Sequence, residues 1–160
     1  MNSLAEHAIM KLEERGVILS DIVKIAYDVQ VKYNADLDIT YMSDALMQIL
    51  VKREVSQTIL TAIAIDEAAE KGLFDEVVNE MIVNDKSLYG LDEILALSIV
   101  NVYGSIALSN FGYLDKEKPG IIGEIDRIGK EKKACHTYLD DVICALAAAI
   151  ISKVAHENGK

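Results

Sequence analysis

The stretch HTYLDDVICALAAAIISKVAH, residues 136–156, decides the fold class of this protein. It carries no charged residue from Val142 to Ser152, and it is too apolar to face water on any side of a helix. A helix that is apolar all round lies at the centre of its domain. We therefore expect an all-α fold, a multihelical bundle with one or two very apolar helices at its centre. Asp140 and Asp141, at the entrance of this helix, require a separate explanation.

Composition favours one helical domain and argues against two classes of partner. One proline and nine glycines leave little material for the many turns of a β-protein, so we predict a single helical domain over residues 1–160. The net charge of −10 argues against a nucleic-acid binder, because no stripe of Lys and Arg is present to displace counterions from phosphates. The same charge argues against electrostatic attachment to a membrane surface.

Two uncharged runs raise the question of a membrane span. Residues 94–114 reach the length of about 20 residues that a span needs, but serines, asparagines and two glycines interrupt them. The run from Val142 is only about half as long as a bilayer requires, so we expect no transmembrane segment. The N-terminus lacks the apolar centre of a signal peptide, and Cys135 and Cys144 lack metal-site or CxxC spacing. A reduced, cytoplasmic location is therefore expected.

Helical spacing of apolar residues continues along most of the chain. The segment 110–136 is the least regular and is predicted to be a long loop, because it holds four glycines and the only proline. An amphipathic helix near the N-terminus could pair two copies of the chain, so a homo-oligomer is one possible state. The predicted helices are residues 3–15 closed by Gly16, one from Ser20, one from Ser43 that breaks near Arg53 and is closed by Gly72, residues 74–83, and two long helices from Leu91 and Thr137.

Paired acidic residues open both uncharged helices. Asp140 fits a capping box with Thr137 as the N-cap residue, which explains it without any function. Asp141 shares a helical face with small residues that allow close packing, and a carboxylate there is costly unless a cation or donor meets it. Asp92 and Glu93 repeat the pattern, although compensation of the helix dipole is an alternative explanation.

If the two helix starts converge, four carboxylates surround one point, and a divalent cation is needed to hold them together. Ligands that are all oxygens suit Mg²⁺ or Mn²⁺ rather than zinc. Lys118 and Arg127 are cations that could hold phosphate oxygens beside such a metal, with a solvated mixed-charge loop as the alternative. His136 is a candidate ligand, proton donor or turn residue.

Asp66 and Glu67 lie well inside a predicted helix. Pairing of Glu67 with Lys71 one turn later accounts for Glu67, whereas Asp66 is left with the alternative of facing the core. The sequence contains no P-loop, no GxSxG and no HExxH, so nucleotide handling and serine-hydrolase chemistry have no support.

Four motifs in this order resemble the phosphatidylglycerophosphatase A family, and most closely its soluble Gram-positive branch, the low-temperature-requirement C proteins. They lie within residues 88–156, in the stretches LYGLDEILALSIVNVYGSIALSNFGYLDKEKPGIIGEIDR and HTYLDDVICALAAAI. This chain departs from the family in having Leu91 where an aromatic residue is common, and in the segment between Arg127 and Asp140. The motifs are Asp92-Glu93, then Asp115, Lys118 and Pro119, then Asp126-Arg127, and finally Asp140-Asp141.

The resemblance implies an all-helical fold and Mg²⁺-dependent removal of phosphate from phosphatidylglycerophosphate, which would bring the protein transiently to the membrane. Two alternatives stay open: a phosphatase of a soluble phosphate ester, and a non-enzymatic helical binding or assembly module. On the leading hypothesis the metal ligands are Asp92, Glu93, Asp126, Asp140 and Asp141, and the catalytic residues are Asp141, Asp92, Lys118, Arg127 and His136.

Overall fold

The computed structural model describes residues 2–158, which fold into nine α-helices with no strand among them. The prediction of an all-α protein is therefore confirmed. In chain order the helices are α1 (Ser3–Glu14), α2 (Leu19–Gln30), α3 (Ile39–Leu50), α4 (Arg53–Glu70), α5 (Glu76–Val83), α6 (Leu91–Tyr103), α7 (Ser105–Glu117), α8 (Ile121–Lys130) and α9 (Leu139–Asn158).

Helix α9 contains the stretch that decided the fold class. Every residue from Leu139 to Ser152 is buried, because α2, α3, α4, α6, α7 and α8 all pack against this one helix. The other uncharged run behaves differently, because Gly104 divides it between α6 and α7. Its first residue, Ile94, is more than half exposed. No helix of the described residues has both the length and the apolar character that crossing a membrane requires.

Most helix boundaries follow the local signals. Gly16 and Gly72, which follow the ends of α1 and α4, have the positive φ of helix-closing glycines. The predicted break near residue 53 separates α3 from α4. Two starts were wrong: α2 begins at residue 19, one residue before Ser20, and α3 begins four residues before Ser43. The Asp38 side chain causes the second difference, because it accepts a hydrogen bond from a backbone N–H of the first turn of α3 and caps the helix there.

The prediction of a long irregular loop over residues 110–136 was wrong. The segment contains the end of α7 and the whole of α8, joined by a tight turn in which Lys118 and Gly120 both have positive φ. Helix α8 is amphipathic and buries Ile122 and Ile125 against the core. Gly123 serves close packing: a Cβ at this position would lie 2.5 Å from the carbonyl oxygen of Lys118.

Candidate metal centre

The N-termini of α6 and α9 converge, and the acidic residues of their first turns meet. The carboxyl groups of Asp92 and Asp141 are close neighbours, and both residues are buried. Burial, the neighbouring Asp140 and this contact with Asp92 all raise the pKa of Asp141.

Asp115, near the end of α7, completes a cluster of three carboxylates with Asp140 and Asp141. One oxygen atom from each of these residues lies within 4.8 Å of the other two. One carboxylate oxygen of Asp92, Oδ1, is also buried without a hydrogen-bond partner among the described residues. A buried oxygen without a partner is costly, and a divalent cation with oxygen ligands is a group that would satisfy it. The donor set therefore fits a hard cation such as Mg²⁺ or Mn²⁺.

Lys118 places a positive charge inside this acidic group. Its Nζ lies 3.2 Å from Asp115 Oδ1, 3.2 Å from Asp140 Oδ2 and 4.0 Å from Asp126 Oδ1. Burial lowers the pKa of Lys118, but Asp140 and Asp115 outweigh burial and raise it overall. The ammonium group therefore stays charged and offsets the repulsion between carboxylates that come from α7, α8 and α9.

The cluster forms one wall of an open cleft of about 240 Å³. The loop before α6 also lines this cleft, with residues that include Asp85 and Tyr89, and Asp85 has a positive φ in its turn. Glu93 lines the same cleft with an exposed side chain. Burial, Asp115 and Asp92 raise the pKa of Glu93. The cleft is thus strongly acidic, with Lys118 among its lining residues.

A smaller cavity of about 50 Å³ adjoins the cleft, and Asp85 and Asp140 line both. His136 lies in its wall and is 6% exposed. Its Nδ1 is 3.3 Å from the guanidinium group of Arg15. Burial and this neighbouring charge lower the pKa of His136 to about 4, so the imidazole is neutral at pH 7. Because a guanidinium group can only donate, Nδ1 is the acceptor in this contact and Nε2 carries the ring proton.

The comparison with protein families identifies the chain. A family model described as "Phosphatidylglycerophosphatase A" matches residues 14–156. The chain belongs to the phosphatidylglycerophosphatase A family. The resemblance found in the sequence is thereby confirmed.

Proteins similar to this member of the phosphatidylglycerophosphatase A family extend over nearly its whole length. YpjQ of Bacillus subtilis is 46% identical over 158 residues, which cover 99% of this chain and 88% of that protein. The crystal structure of low temperature requirement C protein from Listeria monocytogenes is 43% identical, has a TM-score of 0.95 and covers 99% of both chains. A solved structure from Bacillus stearothermophilus is 46% identical with a TM-score of 0.92, over 98% of this chain and 96% of that chain.

In this phosphatidylglycerophosphatase A family member, the structure brings together most of the predicted site residues. Asp92, Asp140, Asp141 and Lys118 lie in one cluster. Asp126 stands beside it, with a carboxylate oxygen 2.8 Å from Lys130 Nζ. Asp115 was not among the predicted metal ligands, although it stands in the family motif and one helical turn before Lys118. Nothing in the polar turn around Asp85 indicated that it lines the cleft.

Arg127 is not brought to the cluster. Its side chain is 54% exposed, and it binds both carboxylate oxygens of Glu131 at 3.0 Å on the outer side of α8. Adjacent residues of a helix point about 100° apart, so the inward position of Asp126 turns Arg127 outward. Of the Asp126-Arg127 pair, only Asp126 therefore lies beside the site.

Thr137 and Asp140 do not form the predicted capping box. The Thr137 hydroxyl donates to the carbonyl oxygen of Ile82 at 2.5 Å, and the Asp140 carboxylate faces Lys118 and the backbone N–H of Asp141. The cap comes instead from Asp66, which therefore does face the core. Burial raises the pKa of Asp66 to about 8, against the opposing effect of two backbone N–H donors from residues 138 and 139.

The prediction that Glu67 pairs with Lys71 was also wrong. Glu67 Oε1 lies 3.0 Å from Lys11 Nζ, so the ion pair joins α4 to α1 rather than two turns of one helix. The remaining acidic residue of this region, Glu70, binds Arg15 of the segment after α1. The polar face of α4 is thus used for contacts between helices.

Proposed function

We propose that this protein is a Mg²⁺- or Mn²⁺-dependent phosphatase that hydrolyses a phosphate monoester, phosphatidylglycerophosphate or a related anionic ester. The observation that carries the proposal is the cluster of Asp115, Asp140 and Asp141 around the Lys118 ammonium, in a cleft open to solvent. Membership of the phosphatidylglycerophosphatase A family supports the reaction class.

The residues that would hold the metal are Asp115, Asp140 and Asp141, together with Asp92, whose buried oxygen lacks a partner among the described residues. A bound divalent cation would polarise the phosphoryl oxygens and activate a water molecule. Glu93 and Asp126 border this set and are proposed to adjust its charge, since the first has an exposed side chain and the second is bound to Lys130.

Lys118 is the proposed contact for the phosphate group. Its ammonium lies between the ligand carboxylates, and an ammonium can hold phosphate oxygens as a point charge. His136 is a neutral imidazole in the wall of the adjoining cavity, and its Nδ1 accepts from Arg15. Its proposed role is therefore to donate a hydrogen bond from Nε2 rather than to accept a proton from water. Arg127 is left out of the proposed mechanism, because it is bound to Glu131 on the exposed side of α8.

The experiment is phosphate release with Mg²⁺, with Mn²⁺ and with a chelator, from phosphatidylglycerophosphate in mixed micelles and from glycerol 3-phosphate in solution. Wild type is compared with Asp141→Asn and with Asp44→Asn, a control at an exposed position on α3. We expect metal-dependent release from the lipid, reduced more than about 100-fold in Asp141→Asn and unchanged in Asp44→Asn.

Other results would lead to different conclusions. Release from glycerol 3-phosphate alone would keep the reaction and replace the lipid by a soluble ester. Metal binding without release from either compound would keep the metal centre and discard both substrates. A chain that binds no divalent cation would overturn the proposal and favour a non-enzymatic helical binding or assembly module.

A further inference from the structure

The first turn of α9 receives its cap from another helix. Asp66, in the interior of α4, is fully buried. One of its carboxylate oxygens accepts a hydrogen bond from the backbone N–H of Tyr138 at 3.0 Å, and the other accepts from Leu139 at 2.9 Å. The first N–H groups of a helix have no partner within the helix. The residues that follow directly are Asp140 and Asp141 of the carboxylate cluster.

A second carboxylate of α4 holds the same segment one helical turn away. Glu70 Oε1 accepts from the backbone N–H of Cys135 at 2.8 Å. The guanidinium group of Arg15 binds Glu70 and also donates to the carbonyl oxygen of Cys135 at 2.7 Å. Because residues four apart lie on one face of a helix, Asp66 and Glu70 together fasten the chain from residue 135 to residue 139.

The fastened segment also contacts the start of α6. The hydroxyl groups of Tyr138 and Tyr89 are hydrogen-bonded, and their rings meet edge to face with centroids 6.1 Å apart. Tyr89 directly precedes Gly90, the N-cap residue of α6, and Asp92 lies in the first turn of that helix. The segment that Asp66 holds therefore stands between the two helix starts that supply the buried carboxylates.

We infer that Asp66 is a positioning residue of the candidate metal centre: it fixes the first turn of α9 so that Asp140 and Asp141 face Asp115, and so sets the affinity for a divalent cation. The inference rests on the proposed function in one respect, because it takes the cluster to be a cation site. A serine or threonine would cap a helix with a single oxygen atom. The two oxygens of Asp66 each bind one backbone N–H, which fixes the orientation of the turn as well as satisfying it.

The test measures Mn²⁺ affinity by titration calorimetry and thermal stability in the metal-free protein, so it requires no substrate. Hydrogen-bond partners that orient metal ligands typically contribute 10–100-fold in affinity. We expect Asp66→Ala to weaken Mn²⁺ binding by about tenfold or more. Asp66→Asn is expected to weaken it as well, because the amide keeps one acceptor oxygen but turns an NH₂ donor towards the other backbone N–H. The matched control is Ser152→Ala, further along α9. It removes the hydrogen bond of 2.8 Å that the buried Ser152 hydroxyl donates to the carbonyl oxygen of Tyr103 on α6.

The control separates positioning from general stability. Ser152→Ala is expected to lower the melting temperature and leave Mn²⁺ affinity unchanged. An Asp66→Ala protein that melts earlier but binds Mn²⁺ as tightly as wild type would overturn the inference. If Asp66→Ala does not fold, Asp66→Asn decides, and binding no weaker than that of Ser152→Ala would overturn it.

Failure of the proposed function is a separate result. A wild-type protein that binds no Mn²⁺ overturns the metal centre and this inference with it. A wild-type protein that binds Mn²⁺ but releases no phosphate overturns only the proposed reaction, and a lower affinity in the Asp66 variants would still support the positioning role.

Discussion

Replacing Lys118 by methionine tests how the acidic cluster is stabilised without a metal. Methionine keeps much of the length of the side chain and removes its ammonium group, which lies 3.2 Å from both Asp115 and Asp140. We expect Lys118→Met to destabilise the metal-free protein and to make its stability depend strongly on a divalent cation.

The magnitude follows from the two short ion pairs. At an effective dielectric constant of about 20, unit charges 3.2 Å apart attract by about 5 kcal/mol before desolvation is subtracted. Removing one partner of a buried ion pair costs about 3–5 kcal/mol, and protonation of the carboxylates that lose their partner limits that loss here. We therefore expect the free energy of unfolding to fall by about 3 kcal/mol at pH 8. The ammonium group lowers the pKa of Asp140 against the effect of burial, so the pKa of Asp140 rises further in the variant and the loss shrinks as the pH falls towards 5.

The assay is urea unfolding at pH 8 in the presence of a chelator and of Mn²⁺, with Lys116→Met as the control for a neighbouring exposed lysine. The control is expected to stay within about 0.5 kcal/mol of wild type. Mn²⁺ at about 100 times its dissociation constant adds about 2.7 kcal/mol to the free energy of unfolding of a protein that binds it. This would bring the stability of the variant close to that of metal-free wild type. A Lys118→Met protein as stable as wild type in chelator would refute the view that this lysine holds the cluster together.

Three further predictions concern residues around the cleft. The pKa of His136 is lowered to about 4 by burial and Arg15. The stability that the neutral imidazole contributes is therefore complete above pH 6.5 and is lost as the pH falls. Between pH 7 and pH 5, the free energy of unfolding measured in urea should fall by about 2 kcal/mol more in wild type than in His136→Asn. Gly123→Ala forces a Cβ towards the Lys118 carbonyl oxygen and should lower the melting temperature and weaken Mn²⁺ binding, whereas Gly112→Ala in open space on α7 should stabilise the protein by about 0.5–1 kcal/mol. Arg127→Gln should leave the Michaelis constant for the phosphate ester unchanged. A large rise in this constant would mean that Arg127 does contact the substrate.

The burial of α9 could be predicted from its sequence alone. No side of the run from Val142 to Ser152 can face water, so the other helices must surround it. The helices of segment 110–136 could not be predicted in this way. Their glycines are typical of a loop, and it is the tertiary packing of Gly123 against the backbone of Lys118 that places a glycine inside α8.

The sequence was sufficient to predict which short motifs form the candidate site. Acidic pairs at two helix starts, with Lys118 between them in the sequence, indicated which side chains meet. Which member of a pair points inward depends on the rotation of each helix, and sequence order does not show this for Asp126 and Arg127. Asp66 was harder to assign, because its partners at residues 138 and 139 lie at the start of a different helix, far along the chain.

These contacts explain why two carboxylates stand at the entrance of so apolar a helix. A helix buried on all sides cannot rely on water to satisfy its first N–H groups, so α4 supplies Asp66 for that purpose. Of the residues next along the chain, Asp140 uses one oxygen for the backbone N–H of Asp141 and turns the other towards Lys118. The Asp141 side chain serves no first-turn N–H among the described residues and lies in the cluster with Asp115. Capping by a distant residue thus separates the stability of α9 from the chemistry at its first turn, and substitutions at Asp66 and at Asp141 are expected to have different effects on folding and on metal affinity.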